Sequence, residues 1–254
     1  MPRLTDYMGV RAAESVSLGK IVEEATKHDL CIGRRDRYLP CDVLDMRALR
    51  LHHVIAFFLH YYCPRRPPCR VLDPTRGREN HQFKKLVDIM PSEGIEYVDG
   101  DIKPYGSYQA SVFNLPFRDN VFHIVVYDPP YLVSGHRSDR RVEDYAMNTN
   151  TSLRDLQRYY GHSVLAELAR VLAPGGVLIV KGSDFYWPQN SRNLVLFIPT
   201  ILDPNKAPRT LRLEARYILR YYRQNVFRLQ RARLVDAGRP LITTTYYVVF
   251  RKTE

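Results

Sequence analysis

From Arg70 onward, short apolar runs alternate with longer stretches of helical periodicity. This alternation is typical of a parallel sheet whose strands are connected by helices, and it predicts a doubly wound α/β fold. Two further strands near the end, Val226–Val235 and Thr244–Arg251, are predicted to pair as an antiparallel hairpin. The other predicted strands are Arg70–Asp73, Ile95–Val98, Gln109–Phe113, Phe122–Tyr127 and Gly176–Lys181, and the predicted helices are Asn80–Ile89 and Leu153–Leu172.

The first 68 residues carry a different pattern. Residues 10–28 and 44–62 place apolar side chains at three- and four-residue spacing, which predicts amphipathic helices. The segment Cys63-Pro64-Arg65-Arg66-Pro67-Pro68 stops any helix, because proline lacks an amide donor and restricts the residue before it. We therefore expect a helical N-terminal extension over residues 1–68 and an α/β domain over residues 69–254.

The sequence predicts a cytoplasmic protein. The longest apolar run near the N-terminus, Val54–Leu59, is far too short to cross a bilayer. Charged residues such as Arg3, Asp6 and Arg11 interrupt any signal-peptide core.

The cysteines give no metal-binding pattern, since none of them has the two-residue spacing of a zinc knuckle. A cytosolic location also disfavours disulfides. We therefore expect buried thiols and no metal site. The four cysteines are Cys31, Cys41, Cys63 and Cys69.

Positive charge is concentrated at the C-terminal end of the sequence. Residues 205–254 hold 12 Lys and Arg against 3 Asp and Glu, so they contribute +9 to a formal net charge of +11. Such a field attracts polyphosphates, and nucleic acid is the partner that it favours. Five arginines recur here at three- and four-residue spacing, which predicts a basic helix face that contacts phosphates; a solvated face is the alternative. They are Arg209, Arg212, Arg216, Arg220 and Arg223.

The tetrapeptide Asp128-Pro129-Pro130-Tyr131 directly follows the predicted strand Phe122–Tyr127. Ligands of open parallel sheets bind at the carboxyl ends of strands, so we expect this motif to face a site. The Asp128 carboxylate and the Pro129 carbonyl are acceptors that the prolines hold rigidly, which suits them to an exocyclic amine with two N–H groups. Tyr131 offers a flat face for a flipped base. An ordinary turn after a strand is the alternative.

Two more segments lie at predicted strand ends. Asp73-Pro74-Thr75-Arg76-Gly77 follows the first strand of the sheet, and its glycine lets the backbone approach a ligand closely. Asp99-Gly100-Asp101-Ile102 follows the second, where a carboxylate can bind ribose hydroxyls. Asp101 is the first candidate and Asp99 the second. Each carboxylate is alternatively a simple turn cap.

In order and spacing, these segments resemble the class I S-adenosylmethionine-dependent methyltransferases, specifically the amino-methyltransferases marked by Asp/Asn/Ser-Pro-Pro-Tyr/Phe. The resemblance covers about residues 70–251. It implies a Rossmann-like, seven-stranded, mostly parallel sheet with helices on both faces and a reversed final hairpin. It also implies in-line methyl transfer from a sulfonium, with residues 69–254 as the catalytic domain and Asp128, Pro129, Pro130 and Tyr131 as the catalytic motif.

The resemblance further implies which residues bind S-adenosylmethionine. Asp73 would lie near the methionine amino group and Asp101 at the ribose. The segment Ser111–Phe117 resembles the segment that contacts the adenine in this family, and Ile102 and Val112 would flank the adenine. The implied cofactor-binding residues are Asp73, Pro74, Thr75, Gly77, Asp101, Ile102, Ser111, Val112 and Asp128.

Two positions depart from the pattern of this family. Arg78 and Glu79 stand beside the expected methionine tail, where small residues are usual. Ser111 stands where the adenine-contacting segment usually begins with Asp. The Arg78-Glu79 pair motivates one alternative, a binding module that has lost catalysis.

The polar segment Ser134–Asp155 follows the catalytic motif and is predicted to be a lid or a substrate-binding loop; a solvated loop is the alternative. The aromatic segment Phe185-Tyr186-Trp187 either walls the base pocket or packs in the core. The predicted substrate-binding residues are Tyr131, His136, Arg137, Arg140, Arg212, Arg216 and Arg220.

The leading hypothesis is methylation of adenine N6, cytosine N4 or guanine N2 in ribosomal or transfer RNA. Methylation of adenine N6 or cytosine N4 in DNA is the alternative within the same chemistry. RNA is favoured, because the sequence leaves little room for the large DNA-reading domain that follows the catalytic motif in DNA enzymes of this motif order. A glutamine N-methyltransferase acting on protein is a further alternative, although such enzymes usually carry Asn at the position of Asp128.

Overall fold

The computed structural model describes residues 17–26, 43–45, 51–80, 82–129, 153–186, 194–222 and 242–253. The α-helices are α1 (Leu18–Thr26), α2 (Leu51–Tyr62), α3 (Leu153–Tyr159) and α4 (His162–Val171). The strands are β1 (Val43–Asp45), β2 (Cys69–Asp73), β3 (Ile95–Asp101), β4 (Tyr108–Gln109), β5 (Phe122–Tyr127), β6 (Leu172–Ser183), β7 (Phe185–Tyr186), β8 (Leu194–Val195), β9 (Leu211–Tyr222) and β10 (Ile242–Lys252). Short helical turns occur at Met90–Glu93, Phe197–Ile201 and Pro204–Lys206.

Among the described residues, eight strands form one sheet in the order β1-β9-β10-β6-β5-β2-β3-β4, while β7 and β8 pair separately. Strand β10 runs antiparallel to both of its neighbours, and the other pairs in the sheet are parallel. The last two of the described strands, β9 and β10, pair antiparallel and form a reversed final hairpin, as the sequence predicted. The Rossmann-like α/β fold is confirmed, and β1 extends its seven strands to eight.

The sheet is buried on both faces, as expected of a doubly wound fold. Successive side chains along each central strand point to opposite faces. Val71 and Val126 join the core layer of α1 and α2, whereas Leu72 and Val125 join the layer of α3 and α4. The predicted helices on both faces are therefore present. None of the helices in the part of the chain that the structure describes is long and apolar enough to span a membrane.

Two predicted helices differ from the structure. In the predicted helix Asn80–Ile89, residues 82–89 form hydrogen-bonded turns, and Asn80 has a left-handed φ of 47°, which no residue inside an α-helix adopts. The predicted helix Leu153–Leu172 is divided into α3 and α4. The division falls at Gly161, where a Cβ would lie 2.9 Å from the carbonyl oxygen of Gln157.

The predicted basic helix through Arg209–Arg223 is wrong, because residues 211–222 form strand β9. Arg212 and Arg216 are exposed on this strand, while Leu211 is buried and Leu213 half-buried. The chain therefore alternates with a period of two. Strand β9 is also one strand of the final hairpin in place of the predicted Val226–Val235, which lies outside the described residues.

The N-terminal segment is not wholly helical. Strand β1 pairs in parallel with β9 at the edge of the sheet, where no strand was predicted. Helices α1 and α2 agree with the two helical predictions over shorter ranges. Six consecutive side chains of α2, from Val54 to Leu59, are buried.

The prediction of free thiols is wrong for Cys63 and Cys69, which form a disulfide with a Cα–Cα distance of 5.6 Å. The proline-rich turn between them returns the chain from the end of α2 to the start of β2, which brings both cysteines within bonding geometry. Cys31 and Cys41 lie outside the described residues. Since disulfides are uncommon in the cytosol, the cytoplasmic location stays a prediction.

Replacing both Cys63 and Cys69 with alanine should lower the free energy of unfolding by roughly 2 kcal/mol, because the crosslink closes a small loop and so reduces the conformational entropy of the unfolded chain. Urea unfolding of the variant and the oxidised wild type measures this difference. Mass spectrometry after thiol alkylation verifies the oxidised state. Equal stabilities would show that the disulfide does not stabilise the fold, and free thiols in the wild type would contradict the disulfide itself.

Candidate functional site

A cavity lies at the carboxyl ends of β2, β3 and β5 and encloses about 670 Å³ of empty space, part of it open to solvent. Strands that run in parallel end at the same edge of the sheet, so segments distant in sequence meet there. The structure brings together residues from all four predicted segments. The predicted residues that line the cavity are Pro74, Thr75, Asp101, Ile102, Ser111, Val112, Asp128 and Pro129.

Thr75 joins the ends of β2 and β5. Its hydroxyl oxygen accepts a hydrogen bond from the backbone N–H of Asp128 at 2.9 Å. Its own backbone N–H donates to Asp73 Oδ1 at 3.0 Å. Both strand ends are therefore fixed against each other before any ligand binds.

The carboxylate of Asp128 is held from one side. Its Oδ2 accepts hydrogen bonds from Lys181 Nζ at 2.6 Å and from Gln82 Nε2 at 2.5 Å. Its Oδ1 is buried and has no hydrogen-bond partner. Oδ2 of the predicted catalytic carboxylate is thus occupied by the protein, whereas Oδ1 has unused acceptor capacity.

Tyr160 supports the turn after β5 from below. Its buried hydroxyl lies 3.1 Å from the carbonyl oxygen of Lys181 and 3.4 Å from that of Pro129. A single hydroxyl proton donates to one of these carbonyls at a time. The Pro129 carbonyl therefore retains capacity to accept another hydrogen bond.

Asp73 is buried and lies behind the cavity rather than among its lining residues. Burial raises the pKa of its carboxyl group to about 7, with a further contribution from the nearby Asp128. Hydrogen bonds from Thr75 and Tyr97 partly oppose this rise. The Asp73 carboxyl group therefore titrates near neutral pH.

The raised pKa of Asp73 makes stability depend on pH. Because the folded-state pKa exceeds the unfolded value, the contribution of this group to stability is complete below about pH 4 and is lost as the pH rises through about 7. From about pH 5 to pH 8, the wild type should lose roughly 2 to 3 kcal/mol of stability relative to Asp73→Asn. Urea unfolding at several pH values measures this difference. A constant difference would show that Asp73 does not titrate in this range.

The two acidic candidates after β3 have different surroundings. Asp101 lines the cavity, and its Oδ2 accepts the backbone N–H of Gly77 at 2.9 Å. Asp99 is not among the lining residues and pairs with Arg76 at 2.6 Å. Hydrogen bonds from Ser107 and the pairing with Arg76 lower the pKa of Asp99 despite partial burial. Of the two, Asp101 is the carboxylate that a ligand can reach.

Gly77 binds Asp101 from behind and is not among the lining residues. Its φ of 63° is left-handed, which explains the glycine at this turn. Arg78 and Glu79 are both exposed and do not line the cavity. The bulky pair that departs from the family pattern therefore leaves the cavity open.

An apolar wall forms the other part of the cavity. Ile102 is 50% exposed there, opposite to the usual burial of isoleucine, and Val112 and Phe113 lie on the same cavity. The segment that carries Val112 is anchored from behind by Glu167, whose Oε1 accepts the backbone N–H of Leu115 at 2.7 Å. The guanidinium of Arg170 binds Glu167 and lowers the pKa of its carboxyl group.

Several predicted substrate residues are not brought to this cavity. Arg212 lines a groove with Pro174 and Gly175 at the start of β6, which is the opposite end of the sheet. Arg216 is exposed on β9 at the level of Val248, and for Arg220 only the strand backbone is described. Pro130, Tyr131, His136, Arg137 and Arg140 lie outside the described residues, as does Trp187.

Three residues around Asp128 were not predicted: Gln82, Tyr160 and Lys181. The sequence could have indicated Lys181, because this residue ends an apolar strand that is predicted in the same sheet. Lys181 directly follows Val180, which pairs with Tyr127, so it stands level with Asp128. Gln82 and Tyr160 carried no comparable signal, since both lie in stretches that were predicted to be helical.

No protein-family model matches the sequence, and no curated protein matches it. Among solved structures, the chain is similar to a SAM-dependent methyltransferase from Methanosarcina mazei, with 13% identity over 81% of this chain and 99% of that chain and a TM-score of 0.42. It is similar to a geranyl diphosphate methyltransferase in complex with GPP and sinefungin, with 10% identity over 77% and 75% of the two chains and a TM-score of 0.45. It is also similar to the cyclase SpnF, with 14% identity over 79% and 80% and a TM-score of 0.46. At these identities and TM-scores, the likeness assigns no activity to the chain.

Proposed function

We propose that this protein is an S-adenosylmethionine-dependent methyltransferase that methylates an exocyclic amino group of a base in RNA. The observation that carries the proposal is the buried, unpartnered Oδ1 of Asp128 beside a cavity lined by the motif segments. A buried acceptor without a partner costs about 1 to 3 kcal/mol, and an N–H group of a bound amine would remove that cost. The Pro129 carbonyl would accept from the second N–H group.

The residues that line the cavity suit the successive parts of the proposed cofactor. Thr75 and Asp101 supply polar contacts for the amino acid and ribose parts, and Ile102 and Val112 supply an apolar wall for the adenine. When bound, S-adenosylmethionine supplies an electrophilic methyl group on a positively charged sulfur.

The chain's own residues then orient the nucleophile. The nitrogen of an exocyclic amine is a poor nucleophile, because its lone pair is delocalised into the ring of the base. Acceptors fixed at Asp128 and Pro129 favour a more tetrahedral nitrogen and direct its lone pair away from the ring. The hydrogen bond between Thr75 and Asp128 fixes this geometry in advance, which lowers the entropy cost of reaction.

Charge favours a nucleic acid over a small molecule or a protein as the substrate. The +9 contributed by residues 205–254 attracts phosphates, and Arg212 and Arg216 are exposed on β9. These arginines lie away from the cavity, so we assign them to the phosphate backbone rather than to the target base. DNA is the alternative substrate.

Methylation assays with radiolabelled S-adenosylmethionine on total RNA and on genomic DNA test this proposal. Label is expected in RNA, and nucleoside mass spectrometry of that RNA then identifies the methylated base. Labelled DNA with unlabelled RNA would reverse the choice of substrate. No labelling of either, together with no cofactor binding in calorimetry, would favour the inactive binding module.

A further inference from the structure

We propose that Lys181 and Gln82 are positioning residues that fix the orientation of the Asp128 carboxylate and reserve its Oδ1 for the N–H group of the substrate amine. This inference rests on the proposed function and adds how the site selects its target atom. Neither residue belongs to a motif that the sequence predicted, and neither is among the residues that line the cavity.

The first observation is that both side chains bind the same oxygen. Lys181 Nζ lies 2.6 Å and Gln82 Nε2 lies 2.5 Å from Asp128 Oδ2. Both residues are 6% exposed, so water competes little for these contacts. A rotation of the carboxylate about its own axis would break both hydrogen bonds, one of which is charge-assisted.

The second observation concerns the atoms that have no hydrogen-bond partner. Among the described residues, the buried side-chain atoms without a partner include Asp128 Oδ1 and Gln82 Oε1. The amide of Gln82 must turn its NH₂ group toward the carboxylate, because its oxygen would face another acceptor. The unpartnered atoms of this cluster are therefore both acceptors.

The consequence is selectivity for the type of atom that receives the methyl group. An acceptor fixed at Oδ1 binds an amine N–H but repels a carbonyl oxygen or an unprotonated ring nitrogen, whose lone pairs point at it. Lys181 and Gln82 act on the reaction only through Asp128. Their loss should therefore lower turnover more than it weakens binding of the substrate.

The variant Asp128→Asn tests the orientation. Lys181 and Gln82 both donate, so the oxygen of the new amide should face them, and its NH₂ group should take the place of Oδ1. That group would meet the substrate amine donor to donor, and kcat should fall by about 10²- to 10³-fold.

The double variant Asp128→Asn with Lys181→Met provides the decisive comparison. Methionine has no N–H group, so the amide can turn its oxygen toward the substrate while Gln82 reverses its own amide to accept. We expect kcat to recover at least about tenfold over Asp128→Asn alone. Lys181→Met alone should lower kcat by about 10- to 100-fold with little change in KM. A merely structural role of Lys181 predicts no recovery, because two damaging changes would add.

Thermal unfolding of the same variants gives a measurement that does not depend on activity. Lys181→Met leaves the partly buried carboxylate of Asp128 without its cation, so Tm should fall by roughly 10 °C. In the double variant the carboxylate is gone, and Tm should return toward the wild-type value. Lys84→Met, at an exposed lysine, is the matched control and should change neither Tm nor kcat.

The outcomes separate the two proposals. If the wild type methylates RNA but the double variant is no more active than Asp128→Asn, the positioning role is wrong and the proposed function stands. If the wild type labels neither nucleic acid, the proposed function fails, and with it the role of Oδ1 as the amine acceptor. Additive changes in Tm would show in either case that Lys181 does not hold Asp128.

Discussion

Asp128→Ala should reduce methyl transfer to the nucleic acid by about a thousandfold and leave the affinity for S-adenosylmethionine within about threefold of the wild type. The variant removes the acceptor Oδ1, which is buried and unpartnered in the protein alone. The contacts that we propose for Thr75 and Asp101 with the cofactor do not involve this carboxylate. Single-turnover kinetics measures the transfer step, and calorimetry measures the affinity.

Two controls keep this result interpretable. Asp88→Ala removes an exposed carboxylate outside the site and should leave the rate unchanged. Asp128→Ala also leaves the buried Lys181 without its carboxylate, so the folded fraction must be measured by thermal unfolding and the rate corrected for it. Unchanged turnover would remove Asp128 from its catalytic role. Loss of cofactor binding in a folded variant would assign the carboxylate to the cofactor instead.

The location of the site could be predicted because it depends on topology. Thr75, Asp101 and Asp128 each lie within two residues of the end of a parallel strand, and such strand ends meet at one edge of the sheet. The contacts made by Lys181 and Gln82 depend on which strand lies beside β5 and on the path of irregular turns. Both depend on the folded arrangement of the chain, which the local helix and strand patterns of the sequence do not indicate.

The spacing of the arginines explains why the sequence predicted a helix where strand β9 lies. Arg212, Arg216 and Arg220 are four residues apart, and a spacing of four keeps side chains on one face of a helix and also on one face of a strand. The distinguishing signal was the odd-numbered apolar set that includes Leu211 and Leu213, which only a period of two explains. Hydrogen bonding to β10 on one side and to β1 on the other then stabilises residues 211–222 as a strand.

The disulfide shows a different limit. Compartment arguments led to free thiols, whereas local geometry brings Cys63 and Cys69 to 5.6 Å between Cα atoms. Six residues that include three prolines separate α2 from β2, so the turn is short and stiff. The geometry of this turn therefore decides the state of the two cysteines, whereas the expected cellular location did not predict it.

Helix α2 lies on one face of the sheet, so the N-terminal segment contributes to the main core. Phe58 has no exposed surface, and its ring centroid lies 5.2 Å from those of both Tyr217 and Tyr247. These tyrosines belong to β9 and β10, the final hairpin. The predicted N-terminal extension therefore packs against the C-terminal strands of the sheet.

Phe58→Ala should therefore lower the free energy of unfolding by about 3 to 5 kcal/mol, since it removes a buried ring and leaves a cavity between α2 and the hairpin. Tyr61→Ala, on the same helix but 62% exposed, is the matched control and should change stability by less than about 1 kcal/mol. Urea unfolding followed by circular dichroism measures both. Equal, small effects would mean that α2 is a separable extension. A large effect of Phe58→Ala alone means that the sheet requires α2, because the apolar face that α2 covers would otherwise meet water.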